Sequence, residues 1–251
     1  VTKSGDDAQP GQRRLFRLAV LASGSGSNLQ AIIDQLHRPE VVVRDLSEDV
    51  PEIGDAVRSG EPDRVTWQPV IPGEPRMEVV LVLSDVPEAF ALTRARRAGI
   101  PTRVLVPRDF ASREEHDLAL VSALCEAEPD LVVLAGYMRL LSPAVIRAFP
   151  YRIINLHPAL LPSFPGTSAI QDALRYGVKI TGVTVHFVDE GMDTGPIIAQ
   201  EAVRVEEGDT EETLATRIHA VEHRLLPDTI RLFAAGRVHP PLPGSRVVTV
   251  D

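Results

Sequence analysis

The tightest constraint on this chain is an alternation. Short, largely apolar runs are each followed by a stretch with helical spacing. Leu15–Leu21, Val79–Leu83, Leu131–Ala135 and Ile153–Leu156 are such runs. A strand with one wet face would alternate polar and apolar residues, so these runs suit strands buried on both faces, as in a parallel sheet. Between them, Ser27–Leu36 puts Leu29, Ile32, Ile33 and Leu36 on one helical face. Pro87–Ala98 reads as a helix closed by Gly99, and Ser112 opens another with Glu115 completing a capping box. Arg103–Val106 is a short strand, and Ser142-Pro143 is an N-cap and N1 pair. Thr181–Val188 and Ile197–Val205 read as strands. Thr210–Ala235 reads as a long amphipathic helix, with Pro227 as its point of kinking and Gly236 as its stop. This order predicts a single α/β domain over residues 15–236, a Rossmann-like, mostly parallel sheet with helices on both faces. Ligands of such sheets collect outside the carboxyl ends of the strands.

The flanks and one internal stretch do not fit the alternation. Residues 1–14 are polar and lack the apolar centre of a signal peptide, so they read as a flexible tail. Residues 237–251 read as a C-terminal tail. Val41–Arg76 is acidic and carries Pro51, Pro62, Pro69, Pro72 and Pro75. Either Val41–Val43 pairs with Arg64–Ile71 as a small hairpin, or the stretch is a disordered excursion.

Composition narrows the function classes. The 251 residues carry a net charge of −9, which gives no general attraction to nucleic acid or to an anionic membrane. No apolar run reaches membrane-spanning length. The expectation is a cytoplasmic protein acting on small molecules, as a monomer or homodimer. One cysteine, Cys125, excludes an intrachain disulfide and fits a reducing compartment. It sits in the apolar stretch Leu118–Glu128 and reads as a buried structural thiol. The seven histidines are scattered and form no ligand motif, so no metal is expected.

Three segments carry chemistry. Ala22-Ser23-Gly24-Ser25-Gly26-Ser27-Asn28 joins the first strand to the first helix. Its glycines allow close backbone approach, and the helix beyond presents free N–H groups and a positive dipole end. It is a phosphate cradle or a plain capped turn. A dinucleotide fingerprint fits poorly, because the third glycine and the acidic ribose partner are missing. Asn155-Leu156-His157-Pro158 ends a buried strand, and alternation puts Asn155 and His157 on one side. Such polar groups are costly there unless hydrogen-bonded. Asp189–Pro196, shaped by Gly191 and Gly195, can bring Asp193 to His157 and raise its pKa. Asn, His and Asp without a Ser or Cys nucleophile suggest direct transfer, with Asn155 and protonated His157 at a developing oxyanion.

These segments converge on a family. Ser-Gly-Ser-Gly-Ser-Asn-Leu-Gln at 23–30, Ala-Gly-Tyr-Met-Arg-Leu-Leu at 135–141, Asn-Leu-His-Pro-Ala-Leu-Leu-Pro-Ser-Phe-Pro-Gly at 155–166 and Asp-Thr-Gly-Pro-Ile at 193–197 appear in order. They resemble the phosphoribosylglycinamide formyltransferases over Leu15–Leu36 and Met77 to about Gly236. The resemblance implies 10-formyltetrahydrofolate as donor and glycinamide ribonucleotide as acceptor, in purine synthesis. It implies Asn155, His157 and Asp193 as the catalytic set. It maps Gly26, Ser27, Asn28, Leu29, Gln30, His219 and Glu222 to the nucleotide. Arg113, Met138, Arg139, Leu140, Leu141, Asn155 and Asp189 map to the folate. Surface position is the plain alternative for Arg113, and core packing for Met138 and Leu140. The departure is Val41–Arg76, roughly thirty residues beyond a usual connection of about 2–6. Topology sends it to the edge opposite the site. Other activities for the fold are a hydrolase of the same donor, a formyltransferase acting on initiator tRNA and a non-catalytic sensor of a phosphate ligand.

Overall fold

The computed structural model describes residues 15–37 and 75–251. The expected N-terminal tail lies outside them, as does the stretch from Val41 on, except its last two residues. Seven strands, β1 (Phe16–Leu21), β2 (Met77–Ser84), β3 (Thr102–Val104), β4 (Leu131–Leu134), β5 (Ile153–His157), β6 (Ile180–Phe187) and β7 (Ile197–Arg204), form one sheet. Its order is β3-β2-β1-β4-β5-β6-β7. The helices are α1 (Ser27–Leu36), α2 (Phe90–Arg97), α3 (Arg113–Ala127), α4 (Pro143–Ala148), α5 (Ala169–Tyr176) and α6 (Glu211–Ala234).

The first five strands pair in parallel. The central strand shows why their sequences are apolar throughout. Leu18 and Val20 of β1 enter one core with Leu29, Ile32, Leu214 and Ile218. Ala19 and Leu21 enter another with Leu120, Leu124 and Val145. Each face is covered, so both parities must be apolar. The connection from β1 crosses to β2 while β4 pairs on its other side, so the sheet opens a crevice at the carboxyl ends of β1 and β4.

Strands β6 and β7 are antiparallel, β6 to β5 and β7 to β6. The loop after β6 therefore leaves beside Ile153 and Ile154, the entry end of β5, and not at the common carboxyl edge. It must run back along β5 to reach Asn155 and His157.

Local signals hold with adjustments. Ser112 Oγ caps α3 by accepting from the Glu115 N–H at 3.2 Å, while Glu115 reaches Ala111 N–H at 3.0 Å, one residue earlier than a standard box. Ser142 precedes Pro143 at N1 of α4, but its hydroxyl makes no cap bond. Pro227 sits within a helix unbroken from Glu211 to Ala234. The carbonyl it leaves without a helical donor, that of His223, accepts from Gln35 Nε2 at 2.8 Å, so α1 repairs α6. The second helix starts at Phe90 rather than Pro87, and α5 was not foreseen. Cys125 corrects an expectation: it is exposed. The buried stripe of α3 is His116, Asp117, Leu120, Ala123 and Leu124, and the next residue turns about 100° away from it.

Two ends matter for the site. His37, just past α1, bridges Met77 in parallel, and its Nδ1 accepts from the Val79 N–H at 3.1 Å. The chain thus departs after His37 and returns at Met77 side by side, at the edge where β2 begins. At the C-terminus, Val238–His239 pairs with Thr249–Val250 as strands β8 and β9. Between them Arg246 donates to the Thr194 carbonyl, so this hairpin touches the loop that carries Asp193.

Candidate active site

Alternation along β5 places Asn155 and His157 on one face, and the antiparallel register sets His186 and Thr184 opposite them. His157 and His186 are buried, so each ring nitrogen needs a partner. His186 Nδ1 lies 2.8 Å from the Phe187 carbonyl. A carbonyl only accepts, so Nδ1 carries the proton and Nε2 is left as an acceptor. Asn155 Nδ2 meets that acceptor at 3.1 Å. The tautomer of His186 thereby fixes which way the Asn155 amide points. The second N–H of Asn155 reaches Asp193 Oδ1 at 3.4 Å, a long and exchangeable bond.

His157 is tied by the opposite atom. Its Nε2 lies 2.8 Å from the Phe164 carbonyl, so Nε2 holds the proton and Nδ1 is bare. Nδ1 lies 3.5 Å from Asp193 Oδ2. Asp193 stands in the left-handed region at φ 54°. Its Oδ2 accepts from the Gly166 N–H at 2.7 Å. The loop from β6 and the proline-rich loop from β5 thus lock together through one carboxylate.

The electrostatics overturn one expectation. Burial pushes the His157 pKa below its ordinary value, and the opposing pull of Asp193 and the Phe164 carbonyl does not restore it. The rise expected from Asp193 alone is therefore outweighed, because desolvation penalises the imidazolium more than one half-buried carboxylate 3.5 Å away repays. Burial would raise Asp193, yet His186 first, then the Gly166 N–H and His157, hold it below its ordinary value. The resting pair at neutral pH is a carboxylate beside a neutral imidazole whose bare nitrogen faces it.

This cluster forms the floor of a cleft of about 220 Å³. Its walls are Gly136–Leu141, Asn155–Pro158 and the Asp189–Asp193 loop. Met138 and Leu140 stand 65% and 57% exposed at the rim, which excludes plain core packing for both. Leu141 is buried. Asp189 spends its Oδ1 on the loop itself, accepting from Thr194 Oγ1 at 2.6 Å and Gly191 N–H at 3.2 Å. Arg113 does not line this cleft. It borders a small neighbouring cavity and donates to the Leu140 carbonyl at 3.1 Å.

The glycine loop lies beside the cleft. Ser23 joins them, since its hydroxyl donates to Asp85 Oδ1 at 2.6 Å and accepts from the Met138 N–H at 2.9 Å. Gly26 is the N-cap of α1 at φ 71°, and a Cβ there would stand 2.7 Å from the Ala91 Cα, so only glycine fits. The first helical bond runs from the Gln30 N–H to the Gly26 carbonyl at 2.9 Å. The N–H groups of Ser27, Asn28 and Leu29 are left for an anion. The buried Leu29 can offer only its backbone. Asn28 Nδ2 donates to Glu222 Oε2 at 2.9 Å, and the same oxygen meets His219 Nδ1 at 2.8 Å. That bond to Glu222 holds the His219 pKa above its ordinary value. The loop and the middle of α6 are therefore one polar cluster. Among the described residues no group of three His, Cys, Asp or Glu side chains is placed to hold a metal ion. No described helix is long and apolar enough to cross a membrane.

The formyl transferase family model matches residues 70–230. The chain belongs to the formyl transferase family. A phosphoribosylglycinamide formyltransferase of Bacillus subtilis (strain 168) is 38% identical over 86% of this chain and 93% of its own length. The trifunctional purine biosynthetic protein adenosine-3 of Drosophila pseudoobscura pseudoobscura is 42% identical over 88% of this chain, which spans only 14% of that longer protein. Among solved structures, glycinamide ribonucleotide transformylase 1 from Symbiobacterium toebii superposes with a TM-score of 0.77 at 40% identity. That match covers 98% of this chain and 99% of the other. Sequence reasoning about this formyl transferase missed His186, Ser23 and the Phe164 carbonyl. Thr184 and His186, polar and alternating in an otherwise apolar strand, were the available signal.

Proposed function

We propose that this formyl transferase moves the formyl group of 10-formyltetrahydrofolate to the amine of glycinamide ribonucleotide without a covalent enzyme intermediate. The observation that carries the reading is the junction of two ligand sites. The anion-ready end of α1 lies beside the apolar-rimmed cleft, joined to it through Ser23 and Met138, and the floor of that cleft is Asn155, His157 and Asp193. Gly26–Gln30, His219 and Glu222 take the nucleotide. Met138–Leu141 and the Asp189–Asp193 loop take the folate, and Arg113 supports that wall through Leu140. The reading carries with it a cytoplasmic enzyme of purine synthesis, monomeric or dimeric, needing no metal.

The amine nitrogen attacks the formyl carbon, and a tetrahedral oxyanion forms. Asn155 exchanges its 3.4 Å bond to Asp193 for one to that oxyanion. His157 is neutral at rest, and its bare Nδ1 accepts the proton released by the attacking amine. The imidazolium so formed is paired by Asp193 and faces the oxyanion. The bond from the formyl carbon to the folate nitrogen then breaks, and the proton passes to that nitrogen.

The test supplies the formyl donor with and without glycinamide ribonucleotide and follows folate release. Release only with acceptor is expected. Release without acceptor means a hydrolase, and no release in either case favours a sensor or the tRNA enzyme. Asn155→Ala should lower turnover by about 10²–10³-fold, as loss of an oxyanion donor does. Near-normal turnover would remove Asn155 from the mechanism.

A further inference from the structure

Arg94 lies on α2, outside every segment assigned so far. Its side chain crosses to the glycine loop. There Nε donates to the Ser25 carbonyl at 2.9 Å and Nη1 to Gln30 Oε1 at 2.9 Å. The guanidinium lies over the Phe90 ring, 4.8 Å from its centroid. Both acceptors are neutral, and no carboxylate among the described residues pairs with it. A half-buried guanidinium fixed by three neighbours and left without a counter-charge is unusual, since such cations are ordinarily paired. Two bonds use two of its five N–H groups. The rest make no hydrogen bond among the described residues, beside a loop that opens the N-terminus of α1.

The surroundings point the same way. His223 Nε2 is buried with no partner among the described residues, and a ring nitrogen that carries its proton can donate to an anion. The His223 ring stacks on His219 with centroids 6.2 Å apart, and burial, then His219 and Arg94, hold its pKa below the ordinary value against the pull of Glu222. Glu222, the acid of this cluster, is spent on Asn28 and His219. Arg94 therefore brings a fixed positive charge to the glycine loop at the helix terminus, in a protein whose total is −9.

We infer that Arg94 is a phosphate-binding residue. It holds the Ser25 carbonyl back from the anion and supplies fixed positive charge to the phosphate of the nucleotide acceptor. This rests on the reading of the glycine loop as a nucleotide site.

The experiment compares glycinamide ribonucleotide with its dephosphorylated nucleoside as acceptors for the intact enzyme. The wild type, Arg94→Gln and Arg94→Lys are assayed. Gln keeps a donor for the Ser25 carbonyl but no charge; Lys keeps charge without the fork. Arg94→Gln should raise the KM of the nucleotide about 10- to 100-fold, the worth of a hydrogen bond to a charged group, and leave the nucleoside and donor KM values unchanged. Arg94→Lys should recover part of the loss. An unchanged nucleotide KM in Arg94→Gln overturns the inference. So does an equal rise for nucleotide and nucleoside, which marks a mere brace of the loop. If the wild type itself fails to prefer the nucleotide, the loop is no phosphate site and the underlying reading falls. Discrimination by the wild type that survives in Arg94→Gln removes Arg94 alone. Thermal shift with inorganic phosphate gives a second readout: the wild type should be stabilised and Arg94→Gln should not.

Discussion

Each imidazole at the centre of this site is set by a backbone carbonyl. Phe187 fixes the His186 tautomer and Phe164 fixes that of His157, so the reactive atoms are His157 Nδ1 and the Asn155 amide. The protonation state follows from burial, and its sign can be worked through. The His157 pKa is lowered from 6.5, so the folded protein refuses a proton that the unfolded chain accepts. That favours the fold above pH 6.5 and is lost as pH drops below it. Asp193, lowered from 3.8, acts in the same direction: its contribution is present above 3.8 and lost on further acidification. An NMR titration of the His157 ring should therefore give a midpoint below 6.5. Asp193→Asn should move it lower still, because the carboxylate is the group pulling it up. A midpoint above the ordinary value, or an upward move in the variant, would reverse the ranking of burial over charge. Asn155 and His157 could be picked from sequence because a period of two along one strand is local. His186 could not, because its role depends on cross-strand register.

At the scale of elements, the loop after β6 is a tight return that brings Asp193 back along β5. Gly195 makes this return possible, since a Cβ there would fall 1.7 Å from the Phe187 carbonyl oxygen. Gly195→Ala must displace the segment, and Asp193, two residues away, moves with it. Turnover should fall at least about tenfold, since a shift near 1 Å at the reacting groups can cost about a hundredfold. Circular dichroism should still report the native fold. Full turnover in a folded Gly195→Ala would show that Asp193 needs no exact placement. The buried parallel strands were legible because burial on both faces leaves continuous apolar runs. The helix start after Ser112 was legible because capping is local chemistry, and the start at Ser27 because the glycine loop that precedes it is a local signal. The direction of β6 and β7 was not, because parallel and antiparallel pairing can use the same apolar residues. The exposure of Cys125 escaped a reading of local apolarity, which does not tell the buried stripe of α3 from the residue beside it.

For the whole molecule, the side-by-side placement of His37 and Met77 carries a prediction about everything between them. Both stand at the edge where β2 begins, opposite the crevice. Replacing residues 40–74 by a short Gly/Ser linker should therefore leave turnover within a few-fold of the full chain, measured in the acceptor-dependent assay. A large loss in a folded deletion would mean that the excised stretch contributes to the site. The chain's own sequence determined the α/β class, the order of its central elements and the segments that carry polar chemistry, because each of these is written in short-range periodicity, capping and glycine placement. The tertiary structure alone decided that Asp193 returns along an antiparallel strand, that His157 rests neutral and that Arg94 reaches the glycine loop. Those outcomes depend on distances between residues far apart in the chain, and on whether the cost of burying a charge exceeds the pull of its neighbour.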